Sequence, residues 1–336
     1  MEDKHMNNPE STRISRRDIL RTTGASISYA LLCGAVPDEI LAQSGPKKVP
    51  TRILGRTGVP ISCITLGTGH FRANLGITAD DVRNMVDHCL ELGVTSIDTA
   101  LNYEESPEYL GQAIKPHRDH IFLATKAENP TYDGCWGQLR ESMKKLQTDH
   151  FELVYIHDLG LEGFKSEVED VLGPKGMLAA LVEAKKQGIV AHIGCSAHFF
   201  PSRFQPFLKC DEIDVAMPAV NFVAKHIYNF EERVWAPAQK KNLGLIAMKI
   251  LGGPADWTKG TARLSGQDYE SAIRYAMELP GISSLNIGVR NLAELDRAAE
   301  TVMNYKPFTD EERKQLETRG KELGKAWGAV YGEPTT

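Results

Sequence analysis

No two cysteines of this chain stand in a Cys-x-x-Cys spacing, although its 336 residues include six of them. That absence removes zinc ribbons, dithiol redox motifs and ferredoxin-type cluster spacings. An excess of charge of one sign is also missing. Lys and Arg number 39 and Asp and Glu 44, a formal net charge of −5, and no basic block occurs. A nucleic-acid or anionic-membrane partner is therefore not expected. No low-complexity tract is present, which excludes an intrinsically disordered chain. The uncharged stretch at residues 22–37 holds about 16 residues and is interrupted by Gly, Ser and Thr, too short and too polar for a good membrane helix of roughly 20. What is present is 42% apolar and 25% charged residues, the balance of a globular protein with a large core. The length suits one barrel of about 250 residues with additions, or two domains of roughly 150.

The first 42 residues read as an address. Arg13, Arg16, Arg17 and Arg21 precede the uncharged stretch, and Ile40-Leu41-Ala42 follows it. A charged, then apolar, then small-residue order is that of a cleavable export signal. Ser15-Arg16-Arg17-Asp18-Ile19-Leu20 resembles the twin-arginine motif, with Ile19 where Phe is more usual. The expectation is cleavage after Ala42, passage through the twin-arginine machinery, a periplasmic product and no stable membrane span once the signal is removed. Leu32 precedes Cys33 where a lipoprotein signal wants a small residue, so lipidation is not expected. Cys63, Cys89, Cys135, Cys195 and Cys210 remain and read as free, mostly buried thiols. A route that exports chains already folded in a reducing cytoplasm fits that reading.

From residue 51 onward a pattern repeats. Short apolar runs occur at 64–66, 96–98, 121–125, 153–156, 191–194, 215–219, 245–248 and 285–288. Their midpoints recur about every 32 residues, the length of one strand–helix unit. Amphipathic stretches lie between them at 78–92, 178–187, 229–241, 269–278 and 292–303, and Gly93, Gly188 and Gly244 read as stops for three of these. Eight alternations predict an α/β fold, a (β/α)8 TIM barrel, over 51–325. An open dinucleotide-binding sheet would want GxGxxG after its first strand, and Leu66-Gly67-Thr68-Gly69-His70 lacks the third Gly. Residues 52–61 read as an N-terminal hairpin plugging the barrel floor, with Arg56-Thr57-Gly58 at its turn. Residues 309–326 read as an extra C-terminal helix, with Thr309 as N-cap and Glu312 as its capping-box partner.

Chemistry in such barrels sits where strands run out into their following loops. The second strand ends at Asp98 with Tyr103 close behind, the third at Lys126, the fourth at His157-Asp158 and the fifth at Ser196-Ala197-His198. An Asp, a Tyr, a Lys and a His thus come from three successive strands to one rim. Asp98-Thr99-Ala100 with Tyr103, then Lys126, then His157, resembles the pattern of the aldo-keto reductases. The resemblance covers about residues 51–325. It includes Leu54-Gly55-Arg56-Thr57-Gly58, Leu66-Gly67-Thr68-Gly69 and Tyr109-Leu110-Gly111-Gln112-Ala113. Gly194-x-Ser196-x-His198 looks closest to bacterial members that often carry an iron–sulfur tail. No cysteine follows Cys210, so that tail is not expected.

The resemblance implies hydride transfer between NADPH and a small-molecule aldehyde or ketone, or the reverse oxidation of an alcohol. A phenol titrates near pH 10 in water, and a neighbouring cation lowers that value. Lys126 would supply the cation, Asp98 would hold Lys126, His157 would orient the carbonyl oxygen, and Tyr103 would be the general acid. On the cofactor side, Ser196 matches the serine that contacts the nicotinamide amide. Ala197 follows where many relatives have Asn. Met217 stands where Gln is common, and Met248, next to Lys249, where an aromatic often stacks. Gly288-Val289-Arg290 resembles the loop that binds the adenosine phosphate, and Arg290 is placed to pair with a 2′-phosphate. Arg297 and Ala298 replace the Glu and Asn common around adenine, so NADP is expected with NAD as the alternative. The residues leave two further readings open. One is a metal-dependent hydrolase using His70, His157 and His198, and the other a nucleotide-binding barrel subunit without catalysis. Substrate specificity is expected in loops 129–137, 199–207 and 252–266, which carry Tyr132, Trp136, Phe199, Phe200 and Trp257.

Overall fold

The computed structural model describes residues 47–160, 167–253 and 263–328, so the signal-like segment 1–42, with Arg16 and Arg17, lies outside the described residues. Thr51–Ile53 (β1) and Pro60–Ser62 (β2) form an antiparallel hairpin with Thr51 opposite Ser62. Eight parallel strands follow: Ile64–Gly67 (β3), Ser96–Asp98 (β4), Phe122–Ala127 (β5), Phe151–Ile156 (β6), Val190–Ala197 (β7), Val215–Pro218 (β8), Gly244–Ala247 (β9) and Ile282–Gly288 (β10). They close in the order β10-β3-β4-β5-β6-β7-β8-β9. The expected (β/α)8 barrel is therefore the observed one, with each strand where its apolar run stands. These runs are continuous rather than alternating because side chains are covered on both faces, by the helices outside and by the packed barrel interior.

Helices fill the intervals: Ala79–Glu91 (α1), Ser106–Ile114 (α2), Tyr132–Leu146 (α3), Val168–Leu172 (α4), Met177–Lys186 (α5), Phe204–Lys209 (α6), Ala236–Lys240 (α7), Asp268–Met277 (α8) and Leu292–Met303 (α9). Asp310–Trp327 (α10) is the added C-terminal helix, and the Thr309–Glu312 capping box forms as expected. Its Gly320 lies so close to the loop after β8 that an added Cβ would stand 2.4 Å from the Phe222 carbonyl oxygen.

Three local expectations are corrected. Gly93 and Gly188 follow α1 and α5 in the left-handed region, but Gly244 does not stop a helix. It opens β9, and the left-handed residue at that helix end is Asn242. A Cβ at Gly244 would sit 2.6 Å from Leu54 Cδ1, so the glycine makes room for the hairpin's leucine under the barrel. The stretch 229–241 is not one α-helix: Glu231–Trp235 is a π-turn, and α7 follows with Pro237 in its first turn. Residues 132–137, read as loop, are the first turns of α3, whose N-cap Thr131 accepts the Gly134 N–H. The floor hairpin is where expected. Arg56 donates to the Ile213 carbonyl at 2.6 Å, just before β8, and Arg52 to the carbonyls of Met277, at the end of α8, and Ile282, at the start of β10. The cysteines, among the described residues, are free, and four of the five are buried.

Candidate active site

The barrel interior is polar where it approaches the C-terminal rim. Below it, Thr65 of β3 hydrogen-bonds Ser96 of β4 at 3.0 Å and Ser284 of β10 at 2.7 Å, all three buried. Above this hydroxyl layer β4 ends at Asp98 and β5 presents Lys126. Lys126 Nζ donates to Asp98 Oδ2 at 2.6 Å and to the Thr99 carbonyl at 2.7 Å, and the two side chains are only 2% and 4% exposed. Burial opposes the Lys126 charge, but Asp98 and Tyr103 outweigh it and lift the ammonium above its ordinary pKa. A buried pair of this kind is held by the mutual attraction of its two ions, since either ion alone would be strongly destabilising there.

Tyr103 reaches this pair from a tight turn. Its N–H donates to the Ala100 carbonyl and its own carbonyl accepts the Ser106 N–H. Ser106 Oγ donates to Thr68 Oγ1 at 2.8 Å, and Thr68 Oγ1 donates to the Asp98 carbonyl at 3.1 Å, which ties the turn to the ends of β3 and β4. Lys126 Nζ stands 4.7 Å from the Tyr103 ring centroid. The net direction of the Tyr103 pKa differs from the expectation. Burial pushes the phenol up, and the opposing pull of Lys126 only partly offsets it because the Asp98 charge also raises it. His157 meets the same ring edge-on, centroids 6.2 Å apart.

His157 lies between two carboxylates. Glu128 Oε1 is 2.6 Å from Nδ1, a close contact without hydrogen-bond alignment, and Asp158 Oδ2 is 3.9 Å from Nε2. Asp158 and Leu159 both adopt positive φ, which turns the chain sharply behind His157. Asp158 Oδ1 lies 3.1 Å from His198 Nδ1. Burial brings His198 down to about 4, helped by Lys249 and against the pull of Asp158, so its imidazole is neutral near pH 7. His70 does not join these histidines. It lies by β10, where a Cβ on Gly288 would stand 2.9 Å from its Nδ1. Among the described residues no group of His, Cys, Asp and Glu is placed to hold a metal ion.

The residues expected to hold a cofactor lie on the other side of the rim. Ser196 of β7 pairs in register with Met217 of β8, and both are buried. Met248 follows β9, and the Lys249 carbonyl is anchored by Asn221 Nδ2 at 3.1 Å. Ser196 Oγ and His70 Nδ1 are buried without a hydrogen-bond partner. Burial lowers the pKa of His70, and the charges of Lys249, Arg290 and Arg72 lower it further against the pull of Glu294. Orphaned polar atoms near Lys249, Arg72 and Arg290 fit a group carrying an amide and phosphates. Arg290 is not free for a phosphate in this arrangement. Its Nη2 donates to Glu294 Oε1 at 2.6 Å and its N–H to Glu294 Oε2 at 2.9 Å.

Sequence reasoning missed Asn286, Glu128 and the Thr68–Ser106 pair. Only Asn286 left a signal, an amide inside the apolar run Leu285-Asn286-Ile287. Of the expected specificity loops, 129–137 is largely helix, and Tyr132 and Trp136 pack against the core. Phe204 and Phe207 are fully buried, whereas Phe199 and Phe200 are half-buried beside His198, the Phe199 ring 6.0 Å from its imidazole. Residues 254–262, including Trp257, lie outside the described residues.

Comparison with known proteins shows the family and the fold. Residues 63–268 match the model of the aldo/keto reductase family. The chain is 23% identical over 315 residues to an oxidoreductase of Bacillus subtilis (strain 168), YqkF, covering 81% of this chain and 96% of that protein. It is 35% identical over 140 residues to the methylglyoxal reductase DkgB of Salmonella typhi, a match spanning 40% of this chain and 48% of that relative. The holo form of aldo-keto reductase AKR11C1 from Bacillus halodurans superposes with a TM-score of 0.66 at 20% identity, covering 80% of this chain and 96% of that one. With more than half of its residues matched by the family model, the chain belongs to the aldo/keto reductase family.

Proposed function

We propose that the protein is an NADP-dependent carbonyl reductase whose proton donor is Tyr103. The observation that carries this reading is the buried Lys126–Asp98 pair beneath the Tyr103 ring, with His157 at the ring edge. A substrate carbonyl oxygen above Tyr103 would accept from the phenol and from His157. As the carbon is reduced, the phenolic O–H bond breaks, a new O–H bond forms on the substrate, and Lys126 stabilises the phenolate left behind. The Asp98 carboxylate keeps Lys126 charged and in place. In oxidation the same phenolate accepts the proton.

Ser196, with its unpartnered hydroxyl, and Met217 and Met248 would hold a nicotinamide, and Lys249, Gly288 and Arg290 its phosphates. A bound reduced nicotinamide supplies the hydride. For a 2′-phosphate, Arg290 would swing off Glu294. An exposed i,i+4 pair of this kind is worth about 0.3–0.5 kcal/mol, so a phosphate can displace it. NAD is the alternative in which that pair stays intact. Small 2-oxoaldehydes are suitable first substrates, since matched relatives include methylglyoxal reductases.

The test is turnover of methylglyoxal and simple aldehydes with NADPH and with NADH. Tyr103→Phe is expected to cost about 10²- to 10⁴-fold in rate while nucleotide binding stays near wild type. Less than a tenfold loss removes Tyr103 as the acid. Nucleotide binding without turnover by the wild type would instead favour a non-catalytic subunit.

The location proposed is the periplasm, reached through the twin-arginine machinery by a chain folded around its nucleotide in the cytoplasm. The support is the order of Arg16-Arg17, uncharged stretch and Ala42 in the sequence. Replacing Arg16 and Arg17 by Lys is expected to retain folded, active protein in the cytoplasm. Unchanged export of that variant removes the proposal.

A further inference from the structure

We propose that Asn286 is a positioning residue for the Asp98–Lys126 couple. Its interior amide takes up part of the Asp98 charge, so that more of the Lys126 field reaches Tyr103. The inference rests on the reading of Tyr103 as the proton donor.

The geometry begins with strand order. Asn286 is on β10, Asp98 on β4 and Met217 on β8, and each of the latter strands is separated from β10 by one other. Their contacts therefore run through the barrel interior. Asn286 Nδ2 donates to Asp98 Oδ2 at 2.8 Å and approaches Met217 Sδ at 3.3 Å. The oxygen it shares is the one that takes Lys126 Nζ at 2.6 Å, while Asp98 Oδ1 is buried without a partner. Both donors to the carboxylate thus converge on a single oxygen. Gly67 of β3, the strand between β10 and β4, makes this possible. A Cβ there would stand 2.4 Å from Asn286 Oδ1, so any larger residue would push the amide away. An amide inside a barrel costs free energy to bury, and a charge-assisted hydrogen bond to a carboxylate is what offsets it.

The sign follows from the groups around Tyr103. Lys126 faces it from β5, Asp98 from β4, and His157 and Asp158 from the end of β6. Asp98 in turn faces Lys126, Asn286 and, from β6, the buried Tyr155. Without the Asn286 N–H, the Asp98 anion leans wholly on Lys126 and cancels more of its field at Tyr103. The phenolate is then disfavoured and its titration midpoint rises.

The experiment is an ultraviolet difference titration of the Tyr103 phenolate in the full-length protein without nucleotide or substrate. Each variant is measured against the same variant carrying Tyr103→Phe, which subtracts the other tyrosines. Asn286→Leu is expected to raise the midpoint by about 0.5 unit, roughly threefold less phenolate at a fixed pH below it. Asn286→Asp, which adds a carboxylate of the same size, is expected to raise it further. Gly67→Ala displaces the amide without altering it and is expected to move the midpoint in the same direction as Asn286→Leu. It also serves if the Asn286 variants do not fold. A merely structural role for Asn286 would change thermal stability but leave the midpoint in place. An unmoved or lowered midpoint in folded Asn286→Leu or Gly67→Ala overturns the proposal. The titration needs no turnover, so its failure is separate from a failure to reduce carbonyls.

Discussion

At the floor of the barrel Asp214 is fully engaged. Its Oδ2 accepts Lys185 Nζ at 2.6 Å and the Ile193 N–H at 3.1 Å, and Arg56 approaches its Oδ1 at 3.5 Å. At the opposite rim Asp98 has one oxygen with two donors and one with none, and Ser196 Oγ, His70 Nδ1 and Tyr155 OH are also buried without partners. Both ends are closed by charged and polar side chains from strand ends and loops. The floor satisfies its polar atoms with protein, which is what stability requires. The rim leaves several unsatisfied, which is tolerated where a ligand completes the set.

The sharpest break in this comparison is expected at Lys126, a rim group that protein acceptors do engage, Asp98 Oδ2 and the Thr99 carbonyl. Lys126→Met leaves the buried Asp98 without a counter-charge and with only the Asn286 amide as donor, a loss of about 3–5 kcal/mol in chemical unfolding, and turnover falls with it. Its surviving activity is expected to show a basic limb moved to higher pH, because the cation that favoured the phenolate is gone. A stability loss below about 1 kcal/mol, the range of exposed pairs, would place this pair with the surface pairs and erase the exception.

Asp214→Asn probes the floor and should behave oppositely, costing stability and leaving turnover near wild type. Burial raises the Asp214 carboxyl, but His192, Lys185 and the Ile193 N–H more than reverse this and hold it down at about 2. A depressed folded-state pKa contributes stability that is present above the unfolded value near 3.9 and disappears as pH falls toward 2. The wild type is therefore expected to exceed the variant by ~2 kcal/mol at pH 6, with the gap closing between about pH 4 and pH 2. Urea unfolding across that range measures it, and a gap independent of pH would contradict the assignment.

The smallest effect is expected at Ser196. Its hydroxyl has no partner in the folded protein, so Ser196→Ala should leave thermal stability unchanged or slightly raised. Nucleotide affinity should weaken by about 0.5–1.5 kcal/mol, the net contribution of one hydrogen bond. A calorimetric titration showing unchanged affinity would remove Ser196 from the cofactor side of the rim.

Much of this contrast is legible along the chain. The eight apolar runs, the helix stops at Gly93 and Gly188 and the capping box at Thr309 follow from periodicity and local backbone preference, which the sequence carries residue by residue. Asp98, Lys126 and His157 are legible because a strand's last residue points to the rim once the barrel is inferred. The role of Gly244 was not legible, because the group it makes room for, Leu54, arrives from a hairpin far away in sequence. The break in the helix over 229–241 was hidden for a similar reason, since its apolar spacing suits an α-helix and a π-turn alike.

The sequence by itself determined the barrel, its extra hairpin and C-terminal helix, and the four polar residues that meet at the rim. Those depend on the order and spacing of residues, and closure of eight strands follows from them. Only the tertiary structure decided that Asn286 shares an Asp98 oxygen with Lys126 and that Tyr103 titrates above rather than below an ordinary phenol. Each of these is a balance of burial against charges and donors brought together by folding. The Tyr103 and Asn286 balances draw on different strands, so no local pattern encodes their sum.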